Sequence, residues 1–278
     1  LMCGANDYRG VDRVDGVLGD AWMGAYMSRD GGLTWVSRLV PGFKGGGPDS
    51  LGLSYGADPI VLPFPGGMLY VFIAGNRGEN APGGVFSHQW VEVTKEDGYP
   101  FVPATGAPKT IATGTSGRFL DKPGAMLNML GAGTCDIAYR RADGSPGVRT
   151  VPAFEVSVGY ATFLGSDQSD GTSVWIVKSS DCGATWDRPG KKVTQSLNIN
   201  QGVTLAALGN RYLATFRTFT DSNQPKIWRV AQGTGARHRG RTDRAVQADK
   251  SLMALKCTAG VFVLFAQTEQ GPFLPAMR

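Results

Sequence analysis

Apolar residues along this chain fall in short runs, many with period-two alternation, and the runs are separated by Gly-, Pro-, Asp- and Asn-rich breaks. Met23–Met27, Trp35–Leu39, Met68–Ala74, Val85–Val93, Phe154–Phe163, Val174–Lys178, Trp186–Val193, Arg211–Phe219 and Ile227–Ala231 read as β-strands on this basis. Leu252–Leu255 and Gly260–Ala266 continue the pattern. Strands of this length between frequent turns predict an all-β fold.

The runs group into units. Gly56-Ala57-Asp58-Pro59 opens one, and Leu120-Asp121-Lys122-Pro123 opens the next in the same manner. Asn200-Gln201-Gly202 and Asp249-Lys250-Ser251 open two more, at intervals suited to four-stranded repeats with variable loops. The units span about 1–55, 56–115, 119–197, 198–246 and 247–278, together one domain. Residues 131–152 read as an inserted surface loop. Leu1–Gly4 reads as mid-strand, which suggests that the natural chain begins earlier and that a signal peptide lies outside these 278 residues.

One octapeptide recurs. Ser28-Arg29-Asp30-Gly31-Gly32-Leu33-Thr34-Trp35 and Ser179-Ser180-Asp181-Cys182-Gly183-Ala184-Thr185-Trp186 share Ser, Asp, Gly, Thr and Trp at identical offsets, each between two β-like runs. The chemistry suits a hairpin turn: Ser and Asp side chains bond nearby backbone N–H groups, Gly permits positive φ, and Trp covers the apolar side. Asp30 and Asp181 therefore read as structural rather than catalytic. The repeat resembles the Asp box of sialidase-like (neuraminidase) β-propellers. That resemblance implies four-stranded blades in a family of six-bladed rings, of which this chain supplies about four and a half. A ring left incomplete would expose β-edges and favour association.

The resemblance also implies a site. Loops before the first strand and after the second strand of each blade share one rim, opposite the Asp boxes. Asp58, Asp121 and Asp249 stand at first strands, and Arg9, Arg77 and Arg217 stand near the ends of second strands. Sialidases hold a sugar carboxylate with three arginines, protonate the leaving group with an aspartate, and attack with a tyrosine activated by a glutamate. By position, Arg9, Arg77 and Arg217 would bind the substrate and Asp58 or Asp121 would be the acid. Glu79 with Tyr8 or Tyr160 would supply the nucleophile. The implied function is hydrolysis of terminal acidic sugars, without metal or cofactor, by a secreted, periplasmic or cell-surface protein. The family's Arg-Ile-Pro signature is absent, which leaves two alternatives: a non-catalytic glycan- or protein-binding propeller, and an inactive fragment. In a purely structural reading, the rim aspartates cap loops and pair with the arginines.

Composition narrows little further. Gly 40 and Pro 16 accompany 42% hydrophobic residues, a mixture that suits many turns rather than disorder. The net charge of +5 is concentrated in Arg237, Arg239, Arg241 and Arg244, a segment without interleaved aromatics that reads as a solvated loop rather than a nucleic-acid site. Cys3, Cys135, Cys182 and Cys257 form no C-x-x-C pair, and His88 and His238 have no partner at metal or triad spacing, so no metal site is expected. Cys135 and Cys182 fall in one unit and can pair in an oxidising compartment. Trp22, Trp90, Trp175 and Trp228 lie in strand runs and read as packing. No apolar run is long enough for a transmembrane segment.

Overall fold

The structure is a computed structural model, and it describes residues 1–9, 13–14, 17–18, 20–76, 83–94, 99–114, 118–164, 172–194, 199–208, 211–219, 227–234, 237–247, 252–258 and 261–266. Side chains are described as far as residue 216, with gaps. The described residues are all-β, built from several antiparallel sheets with one short 3-10 turn at Gly47–Asp49.

In chain order, β1 (Met2–Asp7), β2 (Arg13–Val14), β3 (Val17–Leu18), β4 (Trp22–Met27) and β5 (Val36–Leu39) come first, and β1-β4-β5 form a three-stranded sheet. The second sheet contains β6 (Tyr55–Phe64), β7 (Gly67–Gly75), β8 (Gly84–Glu92), β9 (Phe101–Pro103) and β10 (Lys109–Thr113). Its order is β10-β8-β7-β6, and β9 also pairs with β8. β11 (Arg118–Arg140), β12 (Pro146–Leu164), β13 (Thr172–Ser179) and β14 (Lys191–Lys192) make the third sheet in simple meander order. β15 (Ile199–Leu208), β16 (Arg211–Phe219), β17 (Ile227–Thr234) and β18 (Arg237–Gln247) repeat that order. β19 (Leu252–Thr258) pairs with β20 (Val261–Ala266).

Burial explains why the central runs read as continuously apolar. Along β7, Leu69, Val71 and Ile73 join one core cluster with Leu120, Val156 and Val158 of the third sheet. The alternate residues Tyr70, Phe72 and Ala74 join another with Trp22, Met23 and Met27 of the first. A strand sandwiched on both faces needs apolar residues at every position. A third cluster, including Val174, Ile176, Val203 and Phe216, lies between the third and fourth sheets. The sheets thus pack face to face in chain order. They approach closely where β11 meets β15: a Cβ added at Gly124 would collide with the Val203 carbonyl oxygen.

Three expectations change. Residues 131–152 are not a loop, because β11 and β12 run on past an irregularity between Met129 and Thr134 as a two-stranded ribbon, paired from Thr134↔Pro152 to Arg140↔Pro146. Ala104 bridges to Tyr139, and the Thr105 N–H donates to the Ala138 carbonyl at 2.8 Å, so the ribbon is seated on the second sheet. A disulfide between Cys135 and Cys182 ties it to the second octapeptide. The basic segment holding Arg237, Arg239, Arg241 and Arg244 lies in β18 rather than in a loop; Arg237, Arg239 and Arg241 have the strand period of two, and Arg244 follows a register shift. Of the run Trp186–Val193, only Lys191–Lys192 pairs as a strand.

Candidate functional site

Three of the sheets begin with the same backbone irregularity. Register shifts occur between Ala57 and Ile60, between Asp121 and Gly124, and between Gln201 and Thr204. Within each lies one residue of positive φ: Asp58 (54°), Lys122 (51°) and Gly202 (69°). Asp58 is therefore the structural counterpart of Lys122, and Asp121 that of Ala57 and Gln201, which corrects the expected equivalence of Asp58 and Asp121. At two of the three bulges a proline follows the positive-φ residue, and at the third Val203 follows Gly202. Pro59 and Pro123 have no N–H to give a ladder and are accommodated at the bulge, which fixes the register of the residue before each. Asp58 and Lys122 hold the left-handed conformation without being glycine, a strain of about 1 kcal/mol each that recurs at functional positions.

The bulges bring three charged side chains together. Lys122 Nζ lies 3.5 Å from Asp58 Oδ2 and 3.7 Å from Asp121 Oδ2. Asp121 is the more enclosed carboxyl, its side chain 17% exposed against 32% for Asp58. Burial pushes the Asp121 carboxyl above the usual carboxylate range, opposed by the Lys122 ammonium and backbone N–H and reinforced by the charge and hydrogen bond of Asp58. The enclosed Asp121 carboxyl, pushed upward by burial, thus stands against the more open Asp58, an arrangement that general acid–base chemistry can use.

The other predicted residues distribute differently. Arg9 is committed to Asp7: its Nε and Nη2 donate to Asp7 Oδ2 at 2.9 and 2.5 Å, and its Nη1 donates to Ser37 Oγ at 2.6 Å. Tyr26 also donates to Asp7 Oδ2, at 2.9 Å, and Arg9 covers the Tyr26 ring. The Arg9 side-chain hydrogen bond is the largest influence holding the Asp7 carboxyl below its ordinary range, although burial opposes it. Arg9 thus forms a structural pair, with a partner other than the rim aspartates. Tyr8 is exposed just beyond β1, a strand that lies against β6, where a Cβ at Gly4 would stand 2.8 Å from Pro59 Cβ.

Tyr160 is buried and lines a cleft of about 440 Å³ with Leu120, Thr162, Trp175 and Arg188. Leu120 precedes Asp121, so in the alternating strand Tyr160 leaves the sheet on the face opposite Asp121 and is not brought to the carboxyl pair. Arg217 lies on β16, paired with Gln201. Its side chain lies outside the described residues, as do Arg77, Glu79, Asp249 and the side chains of His238 and Trp228. His88 is buried, with its ring nitrogens against the Gln89 and Gly106 carbonyls, a core position. Among the described residues no cluster of three or more His, Cys, Asp or Glu could hold a metal ion.

The two octapeptides superimpose in their bonds. Ser28 Oγ donates to Asp30 Oδ1 at 2.7 Å and accepts from the Gly32 N–H at 2.8 Å, while Asp30 accepts from the Thr34 N–H at 2.9 Å and from Thr34 Oγ1 at 2.6 Å. Ser179, Asp181, Gly183 and Thr185 repeat the set at 2.7, 2.8, 2.9 and 2.5 Å. Every oxygen of these carboxylates is turned inward to its own loop, as a structural role requires. Trp35 Nε1 donates to the Gly32 carbonyl, whereas Trp186 packs against the core with its Nε1 unpartnered among the described residues.

Lys122, Asp7 and Tyr26 escaped the sequence reading. The Lys122-Pro123 and Asp58-Pro59 dipeptides were the signal that could have found Lys122.

No protein-family model matches the chain, and no curated protein sequence matches it. Among solved structures, the endo-arabinase from Bacteroides thetaiotaomicron VPI-5482 is similar over 99% of this chain and 88% of its own, at 11% identity and a TM-score of 0.42.

Proposed function

We propose that this chain is a sialidase-like Asp-box β-propeller that hydrolyses terminal acidic sugars, sialic acid among them, from glycans. The observation that carries the reading is the Asp58–Lys122–Asp121 cluster, with its enclosed Asp121 carboxyl pushed upward by burial. The units 1–55, 56–115, 119–197, 198–246 and 247–278 are then its blades. Four-stranded meanders that stack face to face in chain order support this assignment.

Asp121 gives its proton to the glycosidic oxygen as the bond to the anomeric carbon breaks. The Tyr8 oxygen, with Glu79 as its base, forms the new bond to that carbon. Water then displaces the tyrosine, giving its proton to Asp121, while Glu79 returns to the departing Tyr8 oxygen the proton it had taken, so that acid, base and nucleophile are all regenerated. The substrate carboxylate is held by Arg77 and Arg217, and Lys122 adds a third positive charge where the sequence reading put Arg9. The Cys135–Cys182 disulfide supports a secreted or cell-surface location, since reducing compartments keep such thiols apart.

A second reading is a glycan-binding propeller without turnover, favoured by the sequestration of Arg9 by Asp7 and by the burial of Tyr160. Release of fluorophore from a 4-methylumbelliferyl sialoside by the purified chain, beside Arg77→Ala, separates the two. Turnover that disappears in the variant supports the hydrolase. A folded chain without turnover supports the binder.

A further inference from the structure

A second cavity, of about 680 Å³, lies between β5 with the segment after it, the region Tyr99–Gly106, and the tip of the β11–β12 ribbon. Its chemistry is cationic and aromatic: Arg38, Arg140 and Arg141 line it with Tyr99 and Phe43, and Asp49 is the one carboxylate among the described lining residues.

Arg38 is the informative residue. It is half-buried, its guanidinium lies over the Tyr99 ring at 5.0 Å, and among the described residues it has no carboxylate partner. Burial drives its pKa downward, opposed in part by Tyr99. A guanidinium enclosed in this way is normally paired. Arg140 and Arg141 at the ribbon tip each donate one side-chain N–H to a backbone carbonyl, of Gly144 and Pro146, and make no other side-chain hydrogen bond among the described residues.

From this arrangement we propose that the cavity is a binding site for acidic saccharides, in which Arg38, Arg140 and Arg141 take the carboxylate or sulfate groups and Tyr99 and Phe43 take the sugar faces. The volume suits a di- to tetrasaccharide, within the usual range of about 300 to 1,000 Å³ for ligand pockets. The site is separate from the carboxyl pair. Arg140 ends the strand near whose start Asp121 stands, and neither Asp58, Asp121 nor Lys122 lines the cavity. The ribbon that completes it is pinned by the Cys135–Cys182 disulfide and by the Thr105 and Ala104 contacts, so the pocket is pre-formed rather than assembled by the ligand. The inference does not depend on hydrolysis by this chain.

The test is calorimetric titration of the whole chain with tetragalacturonide, a heparin-derived tetrasaccharide and neutral maltotetraose. At least one acidic saccharide is expected to bind, weakening with added salt, and maltotetraose is not. Which acidic saccharide binds tells carboxylate from sulfate recognition. Arg38→Gln should weaken binding about tenfold, the scale of a lost charge-assisted hydrogen bond. Arg140→Gln/Arg141→Gln, exposed positions whose change leaves the core intact, should do the same. Asp58→Asn/Asp121→Asn should leave the affinity unchanged. The proposal is overturned by absence of binding to either acidic saccharide, by equal affinity in both arginine variants, or by binding that disappears with the carboxyl pair, which would move the ligand to the other site.

Discussion

Removing the disulfide is the perturbation whose size the structure fixes best. Cys135 and Cys182 close a loop with a sequence separation of 47 residues, and Cys182 is buried at 1% exposure, where the Phe154 N–H donates to its sulfur. In the chain-entropy account, a crosslink over a loop of this size raises the free energy of the unfolded state by about 4 kcal/mol. The β11–β12 pairing does not reduce that figure, because the ribbon is formed only in the folded state. Alanine is the substitution of choice, since a serine hydroxyl at 182 would enter an apolar cluster. The measurement is urea unfolding of Cys135→Ala/Cys182→Ala beside the oxidised parent, followed by tryptophan fluorescence. The variant should lose about 4 kcal/mol, which at roughly 2 °C per kcal/mol for a chain of this size lowers Tm by about 8 °C. Stability within about 0.5 kcal/mol of the parent, the scatter of a neutral substitution, would refute the reasoning. The ribbon would then be held by its contacts with Ala104 and Thr105 alone.

Further outcomes follow from the same geometry. Asp121 titrates higher folded than unfolded, so its contribution is complete below the ordinary carboxylate value and is lost as pH rises through the folded one. Asp121→Asn should therefore lose less stability from acid to neutral pH than the parent in thermal melts, and an identical pH dependence would contradict the assignment. Asp7 has the opposite sign: its pairing with Arg9 stabilises above the ordinary carboxylate range and is lost as pH falls, so Asp7→Asn should flatten the acid limb of the same melts. Gly124→Ala drives a methyl group into the Val203 carbonyl and should cost about 2 kcal/mol in chemical denaturation, whereas a neutral result would deny the close approach of the third and fourth sheets. Asp181→Ala removes three hydrogen bonds from the second octapeptide and should cost about 2 kcal/mol without altering substrate affinity; altered affinity would place that carboxylate at the ligand.

The two octapeptides were legible because turn chemistry is local: five residue types at fixed offsets determine the bonds made, and each copy makes the same ones. The strands were legible for a similar reason, since alternation and unbroken apolar runs report one buried face or two. What escaped is non-local. The ribbon at 131–152 carries its own signal, the turn Asp143-Gly144-Ser145 between runs that place Cys135, Ile137 and Tyr139 at alternate positions, but its seat on the second sheet comes from distant Ala104 and Thr105. The rim was misaligned because matching Asp58 to Asp121 follows side-chain chemistry, whereas the equivalent positions are set by backbone conformation, the positive φ inside each bulge. Lys122 becomes visible as a rim residue only once that register is known. The difference between Arg9 and an open clamp arginine lies in Asp7, two residues earlier, whose burial no local pattern announces.

The most direct measurement compares kcat/KM of the parent and Asp121→Asn for a 4-methylumbelliferyl sialoside and for sialyllactose. A general acid matters most when the leaving group is poor. If Asp121 protonates the glycosidic oxygen, the variant should lose about 100-fold or more on sialyllactose and far less on the activated aryl substrate. Equal losses on the two substrates, or undiminished hydrolysis of sialyllactose, would contradict the account.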